Sequence, residues 1–321
     1  MGARYPFPAV PDGWFSVASS SDVGSGAVVP IASLDRELVA FRGEDGVARV
    51  FDAHCPHLGA HLGYGGTVCG DGLRCPFHGW RFGGDGVLVD VPRLDRPPPR
   101  VGAVAWATCE VNDRIFVWHH AAGGAPTYPV RTYRDDGETW TPWHVNAYRV
   151  RVGLQDLTEN IIDRSHFWAV HDMEPPEDDR QEVTFDGPTM TVEQDIKVTA
   201  VNDQGFEVHS RTTTNGPGIV AVEVREGDLD MLTYITQTPL DEETCEITIH
   251  FSMRALEDEA ATAAIAKLND EVTNLQFSQD VPIWEHKVYR DRPPLTQVDG
   301  PVSQYRRWFR QFYSGREAAP R

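Results

Sequence analysis

Cys55-Pro56-His57 and, after seventeen intervening residues, Cys75-Pro76-Phe77-His78 place two thiols and two imidazoles in two short loops. Each pair mixes one Cys with one His. Zinc sites that use two Cys and two His usually group Cys with Cys and His with His, at a different spacing. Mixed pairs suit a centre with two chemically distinct metals, one taking both thiolates and the other both imidazoles. Glycines crowd the same stretch (Gly59, Gly63, Gly65, Gly66, Gly70, Gly72, Gly79), and residues without a Cβ let backbone N–H groups approach a metal-bound sulfur closely.

That ligand set, Cys55, His57, Cys75 and His78, is the set of a Rieske [2Fe–2S] cluster. Neutral imidazoles in place of thiolates remove negative charge, raise the potential and suit the cluster to passing single electrons to a second centre. The remaining cysteines, Cys69, Cys109 and Cys245, form no evident disulfide framework. Ala60 and Phe77 stand where respiratory Rieske proteins carry a disulfide, which weakens a respiratory-carrier reading. A reducing cytoplasm is the expected compartment. No apolar run approaches the length of a membrane span, and Met1-Gly2-Ala3-Arg4-Tyr5-Pro6 lacks the apolar core of a signal peptide. The formal net charge of −19 argues against nucleic-acid binding; it serves solubility or a partner with a basic docking face.

With 321 residues the chain is too long for a cluster module alone and long enough for two domains. Alternating runs at 37–42, 47–51 and 114–118, broken by Gly and Asp turns, predict small antiparallel strands carrying the ligand loops. Ala121-Ala122-Gly123-Gly124-Ala125-Pro126 reads as a linker, giving a cluster domain over 11–125 and a second domain over 126–321. In the second, alternation at 189–200, 205–213, 219–225, 230–237 and 245–253 predicts an antiparallel sheet, half-buried in the last strand. Helical spacing predicts helices over roughly 155–169 and from 257 to 284.

The first of those helices holds a second constellation, Asn160-Ile161-Ile162-Asp163-Arg164-Ser165-His166-Phe167-Trp168-Ala169-Val170-His171. Asp163 and His166 share a helical face. His166 and His171, five apart, would diverge by about 140° on an ideal helix, so they share a metal only if the helix distorts or ends between them. Two His and a carboxylate with open positions make the facial triad that holds Fe(II) for O2 activation. Spacing alone also fits a capping or packing pair beside Phe167 and Trp168. Downstream of a one-electron donor, the acceptor reading gains weight.

Together these motifs resemble the Rieske non-haem iron oxygenases, and within them the 3-ketosteroid 9α-hydroxylase oxygenase components and cholesterol 7-desaturases. The similarity runs from Gly13-Trp14-Phe15 to Phe312-Tyr313, with Gln279-Asp280-Val281-Pro282-Ile283-Trp284, Asp299-Gly300-Pro301 and Arg306-Arg307-Trp308 pointing to the steroid-oxidising branch. The resemblance implies an α+β architecture: a small antiparallel β domain followed by a helix-grip, START-like catalytic domain. It implies Asp280 as third iron ligand, and the apolar setting of Phe277, Ile283 and Trp284 favours Asp280 over Asp270 or Glu271. It also implies that Asp163 links His166 to a cluster histidine, His78, of a neighbouring chain, that Asn160 lies near the iron, and that the assembly is a ring-shaped homotrimer. The cofactors would be a [2Fe–2S] cluster and mononuclear Fe(II). A separate NAD(P)H-dependent flavin and iron–sulfur reductase would supply electrons, since this chain has no Gly-rich dinucleotide fingerprint. Such a monooxygenase would use O2 to hydroxylate or desaturate a steroid or similarly large apolar substrate in a pocket between sheet and long helix. An aromatic or secondary-metabolite substrate is the nearest alternative; an electron carrier lacking the second iron is the alternative from another class. The acidic stretch 172–179 matches nothing in the steroid pattern.

Overall fold

The computed structural model describes residues 4–134, 140–173, 181–198 and 206–314. By contact the chain divides between Thr132 and Tyr133 into two units, with residues up to Gly13 belonging to the second.

The first unit is built from short antiparallel strands: β1 (Gly13–Ser19), β2 (Val28–Ser33), β3 (Arg36–Arg42), β4 (Ala48–Asp52), β5 (Thr67–Cys69), β6 (Gly72–Arg74), β7 (Arg81–Phe82), β8 (Leu88–Asp90), β9 (Thr108–Val111) and β10 (Arg114–His119). They form three small sheets, ordered β1-β10-β9, β2-β3-β4 and β5-β6-β7-β8. The runs predicted as strands at 37–42, 47–51 and 114–118 are β3, β4 and β10. Two hairpins close through pairs of left-handed residues, Leu34-Asp35 and Asn112-Asp113, the geometry that matches strand twist. Val39, Phe41, Phe51, Leu62, Leu73, Phe82 and Leu88 form a core that also contains Cys55 and Cys75.

The contact division lies beyond the linker expected at residue 125 because the next residues fold back on this unit. The Trp14 indole donates to the Tyr128 carbonyl and Asn112 to that of Arg131, and Tyr128 meets Trp118 edge to face. The first residues, expected to open the cluster domain at 11, instead bind the chain's far end. Asp12 N–H donates to the Phe312 carbonyl, Ser314 N–H donates to the Asp12 carboxylate, and Phe7 stacks on Tyr313.

The second unit is a seven-stranded antiparallel sheet in the order β11-β17-β16-β15-β14-β13-β12. Its strands are β11 (His144–Val150), β12 (Gln181–Asp186), β13 (Thr189–Val198), β14 (Phe206–Thr214), β15 (Ile219–Glu226), β16 (Leu229–Pro239) and β17 (Cys245–Met253). β17 is more buried than its alternation predicted. Ile247, Ile249, Phe251 and Met253 are covered, and so are Thr248, His250 and Ser252 on the other face. Burial of those polar groups is tolerable because they are bonded: His250 Nδ1 donates to the Tyr234 carbonyl and Ser252 to that of Thr141.

Among the described residues this unit also has the α-helices α1 (Leu154–Glu159), α2 (Ser165–His171), α3 (Glu259–His286) and α4 (Val302–Phe309). α3 begins where Asp258 accepts from the N–H groups of Ala260 and Ala261, an N-cap that satisfies otherwise unpaired donors. The single helix expected over 155–169 is two helices. Asn160, Ile161 and Ile162 each donate three residues back, tightening the end of α1, and the Asp163 carboxylate then accepts from Ser165 N–H and hydroxyl to open α2. α4 packs Tyr305, Trp308 and Phe309 against Ile162, Met190 and Val192.

Candidate cluster and metal centres

The two cysteine loops share one hydrogen-bond plan. Gly59 N–H donates to the Cys55 carbonyl at 3.0 Å and Gly79 N–H to that of Cys75 at 3.1 Å; Cys55 N–H donates to Ala60 and Cys75 N–H to Trp80. Gly59 and Gly79 occupy the left-handed region at φ 76° and 72°, where a side chain is strained. Each loop thus sets its Cys on a fixed turn and projects its His two or three residues on. His57 and His78 come together with ring centroids 4.7 Å apart, and Trp80 stacks on His57 at 4.2 Å.

Among the described residues this donor set fits an iron–sulfur cluster. Cys55 and Cys75 are buried free thiols, and burial pushes the Cys55 thiol up to about 11, with the neighbouring Cys75 thiol adding to the rise. His57 Nδ1 is buried with no hydrogen-bond partner among the described residues. Buried polar atoms of this kind are rarely left unpaired, and a metal would take up the thiolates and imidazoles together.

The second centre is assembled from α2 and α3. Donor atoms of His166, His171 and Asp280 all lie within 4.8 Å of one another. His166 Nδ1 lies 2.5 Å from the Asp163 main-chain carbonyl and His171 Nδ1 lies 2.9 Å from Gln279 Oε1. Both oxygens can only accept, so each Nδ1–H is engaged there and each Nε2 is the ring nitrogen left to meet a metal. His171 Nε2 lies 3.4 Å from Asp280 Oδ2. Burial holds His166 below the usual imidazole range and pushes Asp280 up to about 6, with His171 opposing. Imidazoles held through Nδ1 and a carboxyl raised by burial suit a divalent cation, which draws the carboxyl back to carboxylate.

The spacing requires the helix to distort or to end between the histidines, and α2 runs unbroken through both. α2 instead ends at His171, with Asp172 in the left-handed conformation at φ 53°, and the rings stand 5.2 Å apart. Asn160 lies at this centre, its Nδ2 3.1 Å from His166 Nε2 and 3.4 Å from Asp280 Oδ2. Asp163 contacts His166 through its backbone rather than its carboxylate. Gln279, which orients His171, was overlooked in the sequence because a polar residue beside a helical Asp looks like any solvated position. In the acidic stretch, 174–179 lies outside the described residues.

Paired Cys–His loops on a β module, and a His–His–Asp cluster between an antiparallel sheet's helices, fit the class of iron-dependent oxidoreductases. The chain matches the Rieske [2Fe–2S] domain over residues 13–119 and the 3-ketosteroid 9α-hydroxylase C-terminal domain over 117–313. It therefore belongs to the Rieske non-haem iron oxygenases, in the branch of the 3-ketosteroid 9α-hydroxylases and cholesterol 7-desaturases, whose cofactors are a [2Fe–2S] cluster and a mononuclear iron. The cholesterol 7-desaturase nvd of Bombyx mori is 31% identical, over 98% of this chain and 72% of its own length. The 3-ketosteroid-9-alpha-monooxygenase oxygenase component of Rhodococcus rhodochrous is also 31% identical, over 94% and 80%. Among solved structures, NdmA of Pseudomonas putida CBB5 with caffeine aligns at TM-score 0.73 and 21% identity, covering 92% of this chain and 89% of that one, which speaks to the fold alone. No helix among the described residues is long and apolar enough to cross a membrane.

Proposed function

We propose that this chain is the terminal oxygenase of a multi-component system that hydroxylates or desaturates a steroid or similarly large apolar substrate. The observation that carries the reading is the convergence of His166, His171 and Asp280 within 4.8 Å, both imidazoles fixed through Nδ1, in a chain that also has the cysteine–histidine loops. In this reading Cys55, His57, Cys75 and His78 hold the cluster, and the three converging residues hold Fe(II). When bound, these groups supply one-electron transfer and O2 activation. The chain's own residues orient that chemistry: Asp163 and Gln279 keep each Nδ1 protonated, and Asn160 presents an amide N–H beside the ligand atoms.

Electrons reach the chain from a separate NAD(P)H-dependent reductase, and we place the protein in the cytoplasm. The assembly is a homotrimer in which the Asp163 carboxylate takes a hydrogen bond from His78 of the partner subunit. Leu58, Tyr64 and Phe77 around the cluster histidines are 65%, 71% and 61% exposed. On helix α2, Phe167, Trp168 and Val170 are half-buried. The exposed apolar residues around the cluster histidines offer a surface on which a partner subunit would close.

The test is product analysis with a panel of sterols, 3-ketosteroids and aromatic acids, supplied with a surrogate reductase, alongside iron determination. The expected result is an oxidised steroid and about three irons per chain, two for the cluster and one mononuclear. Turnover of aromatic acids alone would replace the substrate class. Zinc in place of iron, or two irons and no product, would overturn the oxygenase assignment.

A further inference from the structure

Helix α1 carries two buried carboxylates that the fold treats differently. Glu159 is held as a structural group: Arg306 donates to its two oxygens at 2.6 and 2.8 Å, donates again to the Arg290 carbonyl and lies over the Tyr289 ring. Asp156 is 1% exposed, yet neither of its oxygens has a hydrogen-bond partner among the described residues. Its nearest cation is Lys287, with Nζ 3.6 Å from Oδ2 and a side chain 34% exposed. Burying a carboxylate without donors works against stability, so a purely structural role would be better served by the arrangement Glu159 has. The other charged and titratable groups bearing on Asp156 are Glu159, Arg306, Tyr5 and Tyr305. Burial raises its pKa, with Lys287 and Arg306 opposing.

The location connects this group to the iron site. Asn160 follows Asp156 by four residues and shares its side of the turn, and the Asn160 amide lies against His166 Nε2 and Asp280 Oδ2. Lys287 caps the end of α3, the helix that carries Asp280, and its charge is felt at His166. Lys287 thus joins the surface to Asp156 on α1, and Asn160, at the end of the same helix, reaches the ligand atoms.

We infer that Asp156 is a proton relay, charge-balanced by Lys287, that carries solvent protons to the site of O2 reduction. The inference rests on the proposed oxygenase reading. Hydroxylation converts a C–H bond, O2, two electrons and two protons to C–OH and water; desaturation converts two C–H bonds with the same reactants to C=C and two waters. The reductase supplies the electrons, and the protons come from solvent. His166 and His171 cannot shuttle them, since each Nδ1–H is bonded to a carbonyl and each Nε2 faces the metal position. Asp156 takes a proton at the Lys287 end and releases it through a bridging water, with the carboxylate and the Asn160 amide as its partners.

The experiment uses the iron-loaded holoenzyme with its reductase and whichever panel compound is turned over, so failure of the steroid reading leaves the relay testable. Asp156→Asn is expected to keep three irons, the cluster spectrum and substrate binding, while product formation falls at least tenfold and its solvent deuterium isotope effect changes. Asp156→Glu restores part of the rate. Lys287→Met moves the alkaline limb of the pH–rate profile to higher pH, because the lost cation had lowered Asp156; Lys287→Arg leaves it in place. Wild-type rate and isotope effect in Asp156→Asn would overturn the relay, as would iron loss in proportion to activity. Should Asp156→Asn not fold, an unshifted Lys287→Met profile is the overturning result.

Discussion

The two centres of this chain are held by different kinds of bond. The cluster loops rest on backbone hydrogen bonds repeated in both loops, with Cys55 and Cys75 sunk into a local core. The iron position rests mainly on side chains from two helices distant in sequence; 108 residues separate His171 from its partner Gln279. One is a self-contained device of short range. The other exists only while α2 and α3 are kept in register. That register is set from outside the site: α1 ties to α4 through Glu159 and Arg306, and Arg4 donates to the carbonyls of Trp284 and Lys287 at the end of α3. A locally built centre should fail only through its own ligands, whereas a centre built at long range should also fail through its supports.

The largest effects come from the ligands, and they should separate the centres. Cys75→Ser is expected to remove the cluster, bleaching its visible and EPR signals and reducing product formation at least a thousandfold. Asp280→Ala is expected to cost as much activity while leaving the cluster spectrum intact, with iron falling from about three to two per chain. Loss of the cluster signal in Asp280→Ala would show that the two centres depend on each other.

The same contrast explains how much was legible in the sequence. The four proposed cluster ligands fall in one short stretch with their turn glycines, so residue type and spacing alone pointed to them. The strands at 189–198, 206–214, 219–226, 229–239 and 245–253 were legible because a sheet strand alternates within its own length. β11 and β12 were not read, since what makes His144–Val150 a strand is its pairing with β17 a hundred residues away. Asp280 was legible only through resemblance and an apolar setting, and Gln279 left no local signature. The break between α1 and α2 was missed because Asn160 and Asp163 interrupt the helix through local side-chain and three-residue bonds that apolar periodicity does not register.

Asp163→Asn tests the step between the centres. An Asn oxygen can still accept from Ser165, so α2 should start as before and both metal sites should fill. Turnover should nonetheless drop by roughly two orders of magnitude, because a neutral amide binds a partner imidazole less strongly than a carboxylate does. Stopped-flow reoxidation of the reduced cluster is the direct measurement, and an unchanged rate removes the bridging role. Gln279→Leu should act on one centre alone. Without the acceptor at 2.9 Å, His171 loses its fixed tautomer, and such outer partners are worth about 10- to 100-fold in metal affinity. Fe(II) titration of the metal-free chain should show that loss with the cluster spectrum unchanged.

Acid should divide the centres more gently. In the metal-free fold Asp280 holds its proton up to about 6, against an ordinary 3.8, chiefly because it is buried. Iron binds the carboxylate form and must displace that proton. Above about 6 the affinity should be level on this account, and below it each pH unit should cost about tenfold. His166, held below the usual imidazole range by burial, should stay neutral further into acid than an ordinary histidine and so compete less. Gel filtration against a weak chelator at pH 7 and pH 5 should therefore strip the mononuclear iron at the lower pH first, with the cluster absorbance retained. Equal iron loss at both pH values would mean that Asp280 does not control the site, whereas earlier loss of the cluster would mean that its backbone scaffold is the weaker of the two.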